Sequence, residues 1–415
     1  MTGRAVPFDQ ATGMNEPATT ERTIEAQAER PSVREAIHER RAARSLHLSD
    51  RRTVLLLVAV VMLLIVGLGA MLSAGSVVSI RATPTGDHLF YFKRQVIAVG
   101  IGLGALVVFA KIPYGIYRRF ALPIFITAVA GLIATLVIGD VRGGARRWID
   151  FGPFTIQTSE FAKIATVILL AAVLAKKDRL LGSLPHFAVP VIAILSVVSS
   201  LLILQPDFGT MVLIGATAFV VLVASAAPIG YIVGLAGISS VIAVSGAFAM
   251  EYRRARITSF LDPFADPLGT GHQAVQSLVA LGTGGLFGVG LGASRARWSF
   301  LPNAHTDFIY AIIGEETGFV GASLIIVLFA LLVVVGVRIA LTAPDTFGRL
   351  LAVGIVSWLT IQALINIGGV VALLPITGVP LPFVSSGANA MVVSLAAIGM
   401  LVNISRSKAA EPADR

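Results

Sequence analysis

Cysteine is absent from the 415 residues, which excludes structural disulfides, thiolate zinc sites and cysteine nucleophiles. Charge is scarce: Asp, Glu, Lys and Arg make up 13 %, against about 25 % in soluble globular chains. A water-soluble enzyme is thereby excluded, and so is a fibrous or secreted disulfide scaffold. The six histidines show no metal-site spacing, and Ser385-Ser386 lacks a G-x-S-x-G context, so an ester or amide hydrolase has no support. No internal repeat supports an inverted-repeat transporter. No signal-peptide pattern opens the chain either. The first apolar run starts beyond residue 52 and is full-length, which reads as a retained first span.

What the sequence has is apolar length. Hydrophobic residues reach 56 % and mean hydropathy is +0.86, too apolar for a disordered chain. A membrane helix needs roughly 20 apolar residues. That ruler predicts ten spans, near 54–74, 94–112, 120–139, 159–175, 187–204, 209–227, 230–249, 306–336, 347–371 and 386–404. The fold class is an all-α polytopic membrane protein with a large extracytoplasmic loop, 250–305, between the seventh and eighth spans. Residues 1–52 read as a disordered cytoplasmic tail, 53–404 as the membrane domain and 405–415 as a short cytoplasmic C-terminal tail.

The net charge of +9 would suggest nucleic acid in a soluble protein. Here the cations mark loops held against anionic lipid, and no nucleic-acid partner is expected. Lys111, Arg118, Arg119, Lys176, Lys177, Arg179, Arg338 and Arg349 fall in loops on one side, with the basic end of the N-terminal tail and with Arg406. The positive-inside rule makes that side, and both termini, cytoplasmic.

Two segments on the other side break the rule. Residues 140–158 carry Arg142, Arg146 and Arg147; the long loop carries Arg253, Arg254, Arg256, Arg295 and Arg297. Plain solvation accounts for some of these. An anionic ligand is the alternative, because the guanidinium fork matches phosphate oxygens. The long loop is also rich in Gly, Pro and apolar residues, with a helical spacing over 272–281 at Val275, Leu278 and Val279. A re-entrant loop buried in protein fits this better than a tether.

Few groups in that loop can do chemistry: Asp262, Asp266, His272, His305 and Asp307. Each of Asp262 and Asp266 precedes proline and reads either as a turn cap or as a general base. His305-Thr306-Asp307 reads either as a helix start, with Thr306 or Asp307 as cap, or as a ligand contact. Within the spans, Glu160 and Lys163 share a helix face, and Glu315 and Glu316 follow in the eighth span. Intramembrane charges mark either function or a packing network. Gln205-Pro206-Asp207, Asn366 and the turn-rich 374–387 are further polar breaks.

Six stretches occur in an order that resembles the SEDS family, the group of FtsW, RodA and SpoVE. They are GARRWID at 144–150, QTSEFAK at 157–163, QPDFGT at 205–210, DPLGTGHQAVQS at 266–277, LPNAHTDFIYAIIGEETG at 301–318 and LPITGVPLPFVSSG at 374–387. The loop stretch before Asp307 and the long tail look most like the FtsW branch. Departures from the family pattern are Thr158 in place of proline, His272 in place of tyrosine, and Gly387-Ala388-Asn389 in place of Gly-Gly-Ser.

The resemblance implies a peptidoglycan glycosyltransferase that polymerises lipid II at the outer face of the cytoplasmic membrane. It places the catalytic aspartate on Asp266, with Asp262 as rival. Arg146, Arg147 and Arg253 or Arg254 become phosphate partners. Gln273, Gln276, Ser277, His305 and Asp307 become further substrate contacts, and Glu160, Lys163, Glu315 and Glu316 a polar cluster beneath the site. The arginines, or a divalent cation (Mg2+ or Mn2+), would stabilise the leaving diphosphate. Implied partners are a class B penicillin-binding protein and, for the FtsW type, divisome membrane proteins at the division septum. A lipid II flippase remains the alternative, which would need its essential charges near the bilayer midplane.

Overall fold

The computed structural model describes residues 2–3, 33–82, 86–142, 144–152, 154–248, 251–298, 301–302 and 304–407. Most of the expected N-terminal tail, and the C-terminal tail from 408, lie outside the described residues. The chain divides at Asp50/Arg51 into two units, and the second, Arg51–Arg415, carries the site and everything that follows except the first part of the first helix.

Helix α1 is Val33–Ala82, so the backbone of 33–52 is helical where composition suggested an unstructured tail. Ala, Arg and Glu are strong helix formers, and that propensity explains the extension. Its Arg51–Ile80 part is apolar enough to cross a membrane. There follow α2 Phe90–Lys111, the short α3 Tyr114–Arg119, α4 Ala121–Ile138, α5 Thr158–Lys176, α6 Leu184–Leu204, α7 Phe208–Val223 and α8 Ile229–Phe248. The loop region holds α9 Glu251–Leu261 and α10 His272–Gly284. The chain closes with α11 Ile309–Leu341, α12 Thr346–Val370 and α13 Ala388–Arg406.

Nine described helices are long and apolar enough to span. The tenth expected span, 209–227, is α7, only 16 residues and about 24 Å long. Asp207 caps its start by accepting from the Thr210 N–H at 3.4 Å, and the chain leaves the helix through Ser225-Ala226-Ala227-Pro228. Residues 140–156, expected only as a loop, form an antiparallel three-stranded sheet: β1 Asp140–Arg142, β2 Ala145–Asp150 and β3 Thr155–Ile156. Val141 pairs with Arg146, and Ile149 with Ile156. Gly144, at φ +78°, makes the tight β1–β2 connection that a side chain would strain.

Helices α5, α12 and α13 form the centre of the bundle, with most side chains buried. Between membrane helices, close packing and small residues replace the hydrophobic drive. A Cβ on Gly399 of α13 would lie 2.4 Å from the Leu106 carbonyl oxygen of α2. The sheet, the 251–308 region and the 371–387 segment gather at one end of the bundle. Contacts there run from Arg147 to Asp207, Arg256 to Ile376 and Asn366 to Asp307. The short cationic loops lie at the opposite end, where Arg52 donates to Thr342 and Arg118 approaches Asp345.

Helix α11 is broken at Gly318, φ +67°. The loop after α10 fills the break: the Val289 and Gly290 N–H groups donate to the Glu315 and Glu316 carbonyls, and Phe319 and Val320 donate to Gly285 and Leu286. The loop is therefore bonded to α11 through its backbone, but it is not buried in protein as expected: the side chains of Leu286, Phe287 and Leu291 are exposed.

Candidate active site

Asp266 sits at the start of a turn built from Asp-Pro and two closely spaced glycines. Its carboxylate accepts from the Gly269 N–H at 3.0 Å, the Thr270 N–H at 2.8 Å and the Thr270 hydroxyl at 3.3 Å. The Thr270 N–H, aided by Gly269 and the Thr270 hydroxyl, holds the exposed carboxyl below the usual carboxylate range. It is thus an anion fixed in place, facing solvent. Asp262 caps the preceding turn, accepting from the Phe264 and Ala265 N–H groups at 3.2 Å each. Both aspartates are turn caps in this structure; the bonds that fix Asp266 keep it an anion open to solvent, and by lowering its pKa they also weaken it as a base.

Thr270 lines a cavity together with Arg256, Ser259, Gln273, Ala372 and Ile376. Arg256 comes from α9 and donates to the Ile376 carbonyl oxygen at 3.3 Å. An adjoining pocket shares Gly369 and Ile376 with the first and is closed by Asp307, Asn366 and Gly378. Neither Thr306 nor Asp307 caps α11; its N-cap is Phe308, with no side-chain cap bond. The Asp307 carboxyl is instead turned into the pocket. Burial pushes it up to about 6, opposed by the charge of Arg256, a hydrogen bond from Thr306 and the charge of Arg147. Asn366 holds the Asp307 carbonyl oxygen at 2.9 Å and that of Val379 at 2.9 Å, tying α12 to both walls.

The expected site residues do not all converge. Strand alternation separates Arg146 from Arg147. Arg147 is half-buried, donates to the Pro206 carbonyl oxygen and lies 4.0 Å from Asp207. Arg146 is exposed and bonds the Leu136 carbonyl oxygen at 3.2 Å. Arg254 is exposed, and the Arg253 side chain lies outside the described residues. Gln273 lines the cavity, whereas Gln276 is not among its lining residues. Ser277 is fully buried, its hydroxyl 2.9 Å from both the Ala274 and Val370 carbonyl oxygens, so it fastens α10 to α12. His305 packs on the Tyr91 ring at 5.1 Å, its carbonyl takes the Ser386 N–H, and burial pushes its pKa down. Arg256, singled out less than its neighbours Arg253 and Arg254 by sequence, is the cation that reaches the cavity. Its helical position, three residues after Arg253 and four before Phe260, was the available signal.

The four buried charges form two groups rather than one. Lys163 pairs with Glu160 at 2.8 Å, donates to Gln362 Oε1 at 2.9 Å and lies over the Trp358 ring. Gln362 in turn donates to the Pro380 carbonyl oxygen at 2.8 Å, so the pair supports the 374–387 segment. Glu315 receives Ser294 Oγ at 2.5 Å and the N–H groups of Arg295 and Ala296 at 3.0 and 3.2 Å. Glu316 receives the Ser73 hydroxyl, which Arg297 also reaches at 3.3 Å. Among the described residues no three His, Cys, Asp or Glu side chains gather around a common point. These residues do not fit a metal cage made by protein alone.

Comparison with known proteins decides the family. The family of FtsW, RodA and SpoVE, described as "Cell cycle protein", matches residues 54–410. The chain belongs to this family. Stage V sporulation protein E of Bacillus subtilis is 40 % identical over 356 residues, covering 85 % of this chain and 96 % of that protein. A protein named probable peptidoglycan glycosyltransferase FtsW, from Geobacter metallireducens, is 38 % identical over 358 residues, covering 86 % and 95 %. Among solved structures, a chain of a peptidoglycan synthase complex that coordinates polymerization and crosslinking aligns with TM-score 0.69 at 27 % identity, over 85 % of this chain and 96 % of that one. The rod shape determining protein RodA of Thermus thermophilus aligns with TM-score 0.60 at 26 % identity, over 85 % and 95 %. These solved relatives share the overall fold of this bundle.

Proposed function

We propose that this FtsW-like chain is a glycosyltransferase that polymerises lipid II, the undecaprenyl-diphosphate-linked disaccharide-pentapeptide, during division. The observation that carries the reading is the Asp266 carboxylate, held open to solvent beside a cavity lined by Thr270 and Arg256. A sugar hydroxyl is a poor nucleophile, so a base must take its proton as it attacks the donor's anomeric carbon. Asp266 is that base. The new bond joins the hydroxyl oxygen to the anomeric carbon, the bond to the lipid diphosphate breaks, and the proton passes to the carboxylate. Arginines at the same end offset the charge growing on the diphosphate. A Mg2+ or Mn2+ ion belongs to this reading only as one carried largely by the substrate's own phosphates. No step above depends on it.

The cationic loops opposite the sheet support an inward-facing end, which puts both termini in the cytoplasm and the Asp266 turn outside the cytoplasmic membrane. A class B penicillin-binding protein that crosslinks the product, with divisome membrane proteins at the septum, is the expected company. The synthase complex aligned above coordinates the same two activities named for it. Against the flippase alternative, Glu315 holds the loop near the start of α11, Glu316 takes the Ser73 hydroxyl of α1, and Glu160 and Lys163 neutralise each other. None is left to carry a substrate across the midplane.

The test uses purified protein with its penicillin-binding partner, the partner's transpeptidase blocked by a β-lactam and the partner alone as control. Glycan polymer from lipid II supports the reading. Transbilayer movement of lipid II in liposomes, without polymer, would replace it with the flippase.

A further inference from the structure

Two cavities adjoin, sharing Gly369 and Ile376 in their walls. Arg256 lines the first and donates to the carbonyl oxygen of the shared Ile376 at 3.3 Å, while Asp307 lines the second and feels the charge of Arg256. Arg147 reaches the same carboxyl through its charge. The Asp307 carboxyl caps no helix, and the role that fold alone would give it is empty.

Resting on the polymerase reading, we propose that Arg256 receives the leaving diphosphate and that Asp307 is a positioning residue that sets how much positive charge Arg256 and Arg147 present to it. Among the described residues, the charged groups that act on Asp307 are Arg256 and Arg147. Arg256 comes from α9, and Arg147 from β2 with Asp207 at 4.0 Å beside it. Thr306 bonds the carboxyl, Asn366 of α12 bonds its backbone carbonyl, and the 376–379 segment carries no ionisable side chain. His305 is half-buried against Tyr91, and desolvation pushes its pKa down, so it stays neutral around pH 7. With Asp307 protonated, two guanidiniums face one carboxylate, and the site is cationic. With Asp307 ionised, the charges cancel. Burial puts that change at about 6, close to the neutral range.

The experiment measures binding, so it does not need turnover. Undecaprenyl diphosphate is titrated into full-length protein in phosphatidylcholine nanodiscs, followed by tryptophan fluorescence at pH 5 and pH 8. The ligand's own titration is common to all proteins, so the readout is the ratio of variant to wild-type affinity. Asp307→Asn, which mimics the protonated acid, is expected to bind like wild type at pH 5 and about tenfold tighter at pH 8, the effect of one unit of pKa coupling. Arg256→Gln is expected to bind at least about tenfold more weakly at both. An Asp307→Asn ratio that does not change with pH overturns the proposal, and so does Arg256→Gln binding like wild type. Failure to make polymer with the ratios intact would remove the polymerase reading and leave the anion site standing. Polymer with a flat ratio would remove only the present inference.

Discussion

Lys163 Nζ lies 2.8 Å from Glu160 Oε2, and each side chain is 2 % exposed. Taking two charges out of water is repaid only by their mutual attraction and by further bonds, here Gln362 and the Trp358 face. Glu160→Gln or Lys163→Met alone leaves a buried charge and is expected to destabilise by about 3–5 kcal/mol. The double variant should lose clearly less than the sum. Thermal melting in detergent measures this, and additive losses would contradict the pairing.

The Ser294–Glu315 bond fixes the glycine-rich loop to α11. Ser294→Ala is expected to cost about 1–3 kcal/mol through the buried carboxylate left short of a donor. Hydrogen exchange should rise in 285–298 before it rises elsewhere. Unchanged exchange there would show that the loop is held by other contacts.

Gly288 tolerates no side chain. A Cβ there would lie 2.1 Å from the Glu316 carbonyl oxygen, and φ is +81°. Gly288→Ala should therefore lower the melting point more than Gly290→Ala, at φ +106° but with open space around its Cβ. Equal losses would mean that backbone strain, not the close approach, dominates.

Asp307 makes stability fall as pH rises. Its folded pKa of about 6 lies above the ordinary 3.8, so the folded form holds its proton more tightly. The advantage is full below pH 3.8 and is lost as pH rises through about 6. Two units correspond to about 3 kcal/mol. Asp307→Asn should remove this slope, so its melting point gains on wild type between pH 5 and pH 8. Parallel curves would place the Asp307 carboxyl in water.

Span length and the loop helix at 272–281 were legible because apolar run length and 3.6-residue spacing report burial directly. The short sheet was not: three residues of β1 and two of β3 give too little alternation to read. The extension of α1 back to Val33 escaped because a polar helix carries no apolar stripe. The site was legible in part. The Asp-Pro-Gly pattern marks the Asp266 turn, but which arginine reaches the cavity depends on helix phase and on the 374–379 segment. Residues separated by more than a hundred positions, such as Arg256 and Ile376, meet only through packing that one sequence does not announce. The pairing of Glu160 with Lys163 followed from spacing; that Glu315 and Glu316 serve a different loop did not.

Whether Asp266 acts as the base of a glycan polymerase is read from polymer length and yield from lipid II by wild type, Asp266→Asn and Asp262→Asn, each in complex with the β-lactam-blocked partner. Asparagine keeps an acceptor oxygen for the turn and removes the basicity. Polymer is expected from wild type and from Asp262→Asn, with a loss of at least about a hundredfold in Asp266→Asn, the usual range for a general base. Polymer at wild-type rate from Asp266→Asn, with its melting point unchanged, would contradict it.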